Sequence, residues 1–197
     1  MQRQFDASTN PSIFLRLKAD DERPREFAWG EFHRRYSPVI ANFARRLGGK
    51  EQDIDDVVQD VLLGFFLKSP TFVYDPAKGR FRRYLKVCTY RALQRRFGNS
   101  VRLLGKPIDE IDPESVAIDN IWNDVWEQQL LEVALAEVKA EMLDSRTFAA
   151  FEQYVLEEKP GEAVAHALGM HINSVYRAKD QITRALKLKL KALREED

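Results

Sequence analysis

Three groups of residues in this chain have types and spacing that could do chemistry. The first is "EQDIDDVVQDVLLGFF", Glu51 to Phe66, where Asp53, Asp56, Gln59 and Asp60 lie opposite an apolar series of Ile54, Val57, Val58, Val61, Leu62 and Phe65. Carboxylates this dense can hold a divalent cation or face a basic partner. Acids early in a helix are also favoured by the macrodipole alone, which accounts for Asp53 and Asp56 but not for Asp60, two turns in. Adjacent turns of one helix rarely close a metal shell unaided. The expectation is therefore an acidic stripe for a basic protein partner.

The second group is "KGRFRRYLKVCTYRALQRRF", Lys78 to Phe97, which holds Lys78, Arg80, Arg82, Arg83, Lys86, Arg91, Arg95 and Arg96 without a single acid. Phe72, Tyr74, Tyr84, Tyr90 and Phe97 flank or interleave these bases. Cations neutralise phosphates and exposed rings stack on unpaired bases, so the segment suits single-stranded or melted DNA. The alternative is that the rings are core and only the arginines meet solvent. Phe81, Leu85, Cys88 and Ala92 share one face at helical spacing and can be core in either case.

The third group is "AVAHALGMHINSVYRAK", Ala163 to Lys179. Ala163, Val164, Ala167 and Leu168 are expected on one face, the alanines small enough for a second helix to cross closely. Gly169 can take the positive φ of a tight turn. Met170 and Ile172 would plug that turn, Asn173 or Ser174 would cap the next helix, and Val175, Ala178, Ile182, Ala185 and Leu186 would be buried. Asn173, Ser174, Tyr176, Arg177, Lys179 and Arg184 are then left to face a ligand. This is the layout of a helix–turn–helix, whose second helix offers its early residues to base edges, although an ordinary helical hairpin with a basic surface has the same pattern. His166 and His171 have no cysteine or histidine at metal-ligand spacing and read as surface or capping residues.

The elements that must position these groups are helical. Asn10-Pro11 reads as a start signal for a helix through Ser12–Lys18. A longer helix is expected from Glu26 to Leu47, with Phe27, Phe32, Tyr36, Ile40, Phe43 and Leu47 inward and Gly48-Gly49 as its stop. Further helices are expected over Gln52–Lys68 and Arg80–Phe97, separated by the loop "TFVYDPAKG". Residues 99–121 carry Asn99, Gly105, Pro107, Pro113 and several carboxylates and read as a flexible acidic linker. Helical spacing resumes from Ile121 to Met142, from Thr147 to Glu157, and through the third group to Leu193. The expected fold is all-α, with two small helical domains (residues 1–98 and 122–197) joined by the linker at 99–121.

Composition bounds the function. Of 197 residues, 44% are hydrophobic and 31% charged, as in a soluble globular protein. One cysteine, Cys88, allows no internal disulfide and fits a reducing cytosol. The opening "MQRQFDASTN" has no apolar stretch of a signal peptide. No apolar run approaches the roughly 18 residues of a membrane span, so a cytoplasmic protein without membrane insertion is expected. Net charge is zero but segregated: residues 1–98 hold 19 basic and 12 acidic side chains, 99–158 hold 4 and 14, and 159–197 hold 8 and 5. Basic ends around an acidic middle suggest two nucleic-acid contacts. An enzyme running phosphoryl chemistry on Asp53, Asp56 and Asp60 would want a phosphate-cradling glycine loop, and none accompanies them. No cofactor is expected.

In this order the three groups resemble a bacterial RNA polymerase sigma factor of the extracytoplasmic-function class, which keeps only sigma regions two and four. "DIDDVVQDVLLGFF" resembles the region-two pattern, "FVYDPAKGRFRRYLKVCTYRAL" the stretch that melts the −10 element, and "GEAVAHALGMHINSVYRAKDQI" the helix–turn–helix that reads the −35 element. Three departures stand out. Ser174-Val175-Tyr176-Arg177-Ala178-Lys179 replaces the usual Thr-Val-Lys-Ser-Arg, Ala163 stands where the family commonly has Glu, and Tyr74 replaces a phenylalanine before Asp75. The resemblance implies a dissociable promoter-recognition subunit without catalysis of its own. Asp53, Asp56, Gln59 and Asp60 would meet the clamp helices of the polymerase largest subunit, and region four would meet the flap of the second-largest. Tyr74, Lys78, Arg80, Arg82, Arg83, Tyr84, Lys86 and Arg91 would hold −10 DNA, and Asn173, Ser174, Tyr176, Arg177, Lys179 and Arg184 would hold −35 DNA. An anti-sigma factor enters as a further partner of that class. The rival is a free-standing helix–turn–helix regulator whose N-terminal part senses a ligand, for which a symmetric dimer would be expected.

Overall fold

The computed structural model describes residues 16–18, 22–72, 81–103, 105–142 and 144–195. The fold is all-α: α1 (Glu22–Arg46), α2 (Glu51–Lys68), α3 (Phe81–Phe97), α4 (Val116–Glu141), α5 (Ser145–Phe151), α6 (Gly161–Leu168) and α7 (Ile172–Glu195). Between α3 and α4 lie two-residue strands β1 (Arg102–Leu103) and β2 (Lys106–Pro107), antiparallel with Arg102 opposite Pro107. The described residues fall into two compact units that divide between Gln129 and Leu130, inside α4. No described helix is long and apolar enough to cross a membrane. The helix expected over Ser12–Lys18 lies largely outside the described residues, as does most of the loop before α3.

In the N-terminal unit α1, α2 and α3 pack on one another around aromatic rings. Phe32 of α1 stacks on Phe65 of α2 at 4.7 Å between centroids, and Phe81 of α3 meets both edge-on, at 5.8 and 5.2 Å. Tyr36, Ile40, Phe43 and Leu47 follow Phe32 inward, and all six apolar residues expected on the inner face of α2 are buried. Phe27 departs from expectation: it is 47% exposed, because Ala28, one turn before Phe32, holds the buried position there and Phe27 stands beside it. Cys88 is half-buried, while Phe81, Leu85 and Ala92 are core as expected. At the turn into α2, a Cβ on Gly49 would lie 2.9 Å from the Ala44 carbonyl oxygen, so only glycine fits that approach.

The segment expected as a flexible linker is folded against this unit. Val101, Ile108 and Ile118 are buried, and the fully buried Tyr90 of α3 shares its hydroxyl between the carbonyls of Ile108 (2.7 Å) and Ile111 (2.6 Å). Burial pushes that phenol up to about 12. Helix α4 starts at Val116, five residues before the expected Ile121, and its Trp122 and Trp126 pack on Phe43 and Tyr36. The division between units therefore falls later than the glycines and prolines of residues 99–121 suggested. Those residues make turns, and the apolar residues between them are anchored.

The C-terminal unit packs α5, α6 and α7 around Ala150, Val164, Ala165, Val175 and Ala178, with Leu168, Met170 and Ile172 partly buried against them. Asp144 caps α5, accepting the Thr147 hydroxyl at 2.8 Å and the Arg146 N–H at 3.0 Å, and these bonds hold its carboxyl below the ordinary range. The helix expected from Thr147 to Glu157 is α5 followed by a π-helical turn, Glu152–Leu156, in which the Glu157 N–H reaches the Glu152 carbonyl at 3.0 Å. Ala163 and Ala167 are exposed and Ala165 is buried, so the inward face of α6 is rotated from the expected one. The cap of α7 is His171, whose Nδ1 accepts the Asn173 N–H at 3.1 Å, rather than Asn173 or Ser174, because the helix already begins at Ile172.

Two stability predictions follow from this packing. Phe65→Ala should lower the unfolding free energy by about 3–5 kcal/mol, seen as a fall in denaturant midpoint at unchanged slope. Gly169 ends α6 in the left-handed region at φ 60°, with nothing within 4 Å of a Cβ built on it. Gly169→Ala should therefore cost about 1–2 kcal/mol through backbone strain alone, and Gly169→Asn distinctly less. Thermal unfolding of the three proteins ranks them.

Candidate nucleic-acid interface

The acidic face of α2 forms as expected, but its members diverge. Asp53 is half-buried in the first turn, while Asp56, Gln59 and Asp60 are exposed. Arg96 of α3 pairs with Asp56 and, at 3.4 Å, with Asp60. On the other side Asp55, Asp56 and Gln59 line a groove between α1 and α2, walled by Trp29, His33, Pro38, Leu62, Leu63 and Phe66. Leu63 and Phe66 are 52% and 41% exposed. Asp55 joins this face at the i, i+4 spacing from Gln59 that puts two residues on one side of a helix. At the mouth of α2, Arg45 grips Glu51 in two 2.8 Å bonds, holding that carboxyl below its ordinary range.

The basic helix α3 is where the structure changes the expectation most. Tyr74, Lys78 and Arg80 lie outside the described residues. Arg83 and Arg91 are exposed and Arg82 is half-buried. Lys86, expected at the surface, is only 3% exposed and pairs with Asp119 in α4. It sits one turn after Arg82 on the side of α3 that α4 covers, and Asp119 compensates its buried charge. Arg83 pairs with Glu114 at 2.7 Å, and that carboxylate raises the guanidinium above its ordinary value. Arg82 donates to Asn123 at 3.3 Å, with its guanidinium 5.9 Å from the centre of the Trp126 ring. These groups, with Trp122, line one recess. Of the interleaved rings, Tyr90 is core. Tyr84 is half-buried against Phe65, Phe72 and Phe81, with its phenol raised first by burial and then by its bond to Cys88. None of the described rings of this group, Phe72, Tyr84, Tyr90 and Phe97, is exposed, which favours the reading of the rings as core. The helical spacing of α3 brought Tyr90 inward, and the basic residues beside it hid the signal.

In the C-terminal unit α6 and α7 are joined by a short turn through the left-handed Gly169. Asn173, Tyr176, Arg177, Lys179 and Arg184 are exposed and Ser174 is half-buried. Arg184 donates to the Asp180 carbonyl at 3.3 Å. Val175, Ala178, Ile182 and Leu186 are buried, and Ala185 is half-buried. One contributor was not legible in the sequence. Tyr154, on the π-helical turn, meets Tyr176 edge-on at 5.6 Å and lies 5.7 Å beneath the Lys179 ammonium. It therefore orients two of the residues that α7 presents. A π turn has no apolar period of its own, so the segment read as plain helix.

No curated protein matches the chain. A family model does match: residues 32–102, running from within α1 through α2 and α3 to β1, match sigma-70 region 2.

Proposed function

We propose that this chain is a dissociable sigma factor of the extracytoplasmic-function class, which directs core RNA polymerase to promoters in the cytoplasm and does no bond chemistry itself. The observation that carries this reading is the region 2 match across α1, α2 and α3. In it, Asp53, Asp56, Gln59 and Asp60, joined by Asp55, dock on the basic clamp helices of the largest polymerase subunit, with Leu63 and Phe66 offering apolar contact beside them. Tyr74, Lys78, Arg80, Arg82, Arg83, Tyr84 and Arg91 form the −10 surface, with Lys86 beneath it behind Asp119. The α6–Gly169–α7 unit reads the −35 element, and its other faces meet the flap of the second-largest subunit. An anti-sigma factor is the class of protein that would hold such a chain off polymerase.

Gel filtration with purified core polymerase, followed by sequencing of transcripts started by the mixture, tests the reading directly. Co-elution and defined start sites are expected. A chain that passes core unretained and binds duplex DNA as a symmetric dimer would replace the proposal with a free-standing regulator.

The docking face makes a sharper prediction. Reversing Asp56 and Asp60 to lysine should abolish co-elution. Each exposed ion pair lost with Arg96 is worth about 0.2–1 kcal/mol, so the variant should remain folded by circular dichroism. Arg96→Ala removes the same pairs but keeps both carboxylates, and it should still co-elute. Equal loss in both variants would mean that these acids act only within the fold.

The recognition helix makes another. Arg177 can pair bidentately with guanine, discriminating by about 1–3 kcal/mol, whereas Lys179 suits a phosphate. In a randomised upstream-element selection with holoenzyme, Arg177→Ala should relax one or two positions. Lys179→Ala should keep the motif, weaken binding throughout and lower the salt slope by about one unit. A wild-type motif from Arg177→Ala would pass base reading to Tyr176 and Ser174.

A further inference from the structure

The region between α3 and α4 holds a contact that the proposed function does not by itself require. Three side chains at the −10 surface are each engaged by a residue 31–41 positions downstream: Arg83 by Glu114, Lys86 by Asp119 and Arg82 by Asn123. The three partners are a carboxylate, a second carboxylate and an amide oxygen, all acceptors of the kind a phosphate oxygen would present to the same donors. Lys86 is almost wholly enclosed, and the recess that it shares with Arg82 and Arg83 is closed on its other side by Glu114, Asp119, Trp122 and Asn123. A phosphate on Lys86 and the carboxylate of Asp119 would compete for one ammonium.

We infer that the segment from Glu114 to Asn123 is a built-in competitor, whose acceptors occupy the phosphate-binding side chains of α3 and hold down the affinity of the free protein for nucleic acid. The inference rests on the reading of α3 as the −10 surface. The composition of the segment fits this role: Glu114, Asp119 and Asp124 fall in the acidic middle of the chain, which carries 14 acids against 4 bases over residues 99–158. Its seating is also imperfect. The buried indole N–H groups of Trp122 and Trp126 meet no hydrogen-bond acceptor among the described residues, and each such donor offsets part of what burying the ring contributes. Exchange needs no unfolding of α4. Glu114 and Asp119 are 52% and 47% exposed at the side chain, so both can swing to solvent while the tryptophans stay in place.

The test is binding of the full-length chain, without polymerase, to a fluorescently labelled mixed-sequence single-stranded DNA of twenty nucleotides. Glu114→Gln with Asp119→Asn should tighten binding about tenfold at low salt and steepen the log–log salt dependence by about one unit, as one or two phosphate contacts become available. Glu114→Gln alone leaves the buried Lys86–Asp119 pair intact and should tighten binding two- to threefold, so it decides the matter if the double variant fails to fold. Unchanged affinity and slope in a folded variant would overturn the inference. Arg82→Ala with Arg83→Ala separates the two layers. If that variant loses DNA binding and promoter opening in reconstituted polymerase while the acid variants equal wild type, the −10 reading stands and the competitor falls. If it changes neither, the −10 reading itself falls.

Discussion

The stack of Phe32 on Phe65, with Phe81 set edge-on to both, is the contact on which the N-terminal unit depends. It takes one ring from each of α1, α2 and α3, so it fixes the rotation of all three helices at once. Edge-to-face and offset rings contribute beyond their buried area and tolerate little change in relative angle. Once Phe65 points inward, Asp55, Asp56, Gln59 and Asp60 must point elsewhere. Once Phe81 and Leu85 point inward, Arg83 and Arg91 must face solvent. The charged faces of this unit are consequences of its aromatic core.

The same core explains why α3 cannot display all its bases. A helix of seventeen residues that packs on two others and on the segment after it has little free circumference. Tyr90 anchors the 3-10 turn at Ile108–Glu110 through its hydroxyl, and α4 then arrives over Arg82 and Lys86. A buried ammonium without a partner would be very costly, so Asp119 is as much a condition of this packing as Trp122 is. The acidic middle of the chain thus stabilises the fold where it meets α3.

In the C-terminal unit the equivalent constraint is the left-handed Gly169, which sets α6 and α7 at the angle that buries Val164, Ala165, Val175 and Ala178 between them. The π-helical turn before α6 then brings Tyr154 under Tyr176 and Lys179. A rigid ring beneath these two exposed side chains of α7 narrows the conformations open to them.

The sequence by itself determined the all-helical class, the inward faces of α2 and α7, and the turn at Gly169. Each follows from a local period or from one residue's permitted φ, and neither needs a distant partner. The acidic run, the acid-free basic run and the pair of helices around Gly169 were equally legible, because charge and spacing are properties of the string. Only the tertiary structure decided which of those charges are available. Lys86 reads as a surface cation until Asp119, thirty-three residues on, is brought beside it. Residues 99–121 read as a linker because glycine and proline mark turns, and nothing local says that Val101, Ile108 and Ile118 find a core. Phe27 carries the same apolar signal as Phe32, yet it is exposed, because Ala28, four residues before Phe32, takes the inward position at that turn. Period and composition are short-range, whereas burial and charge pairing are set by what the rest of the chain brings alongside.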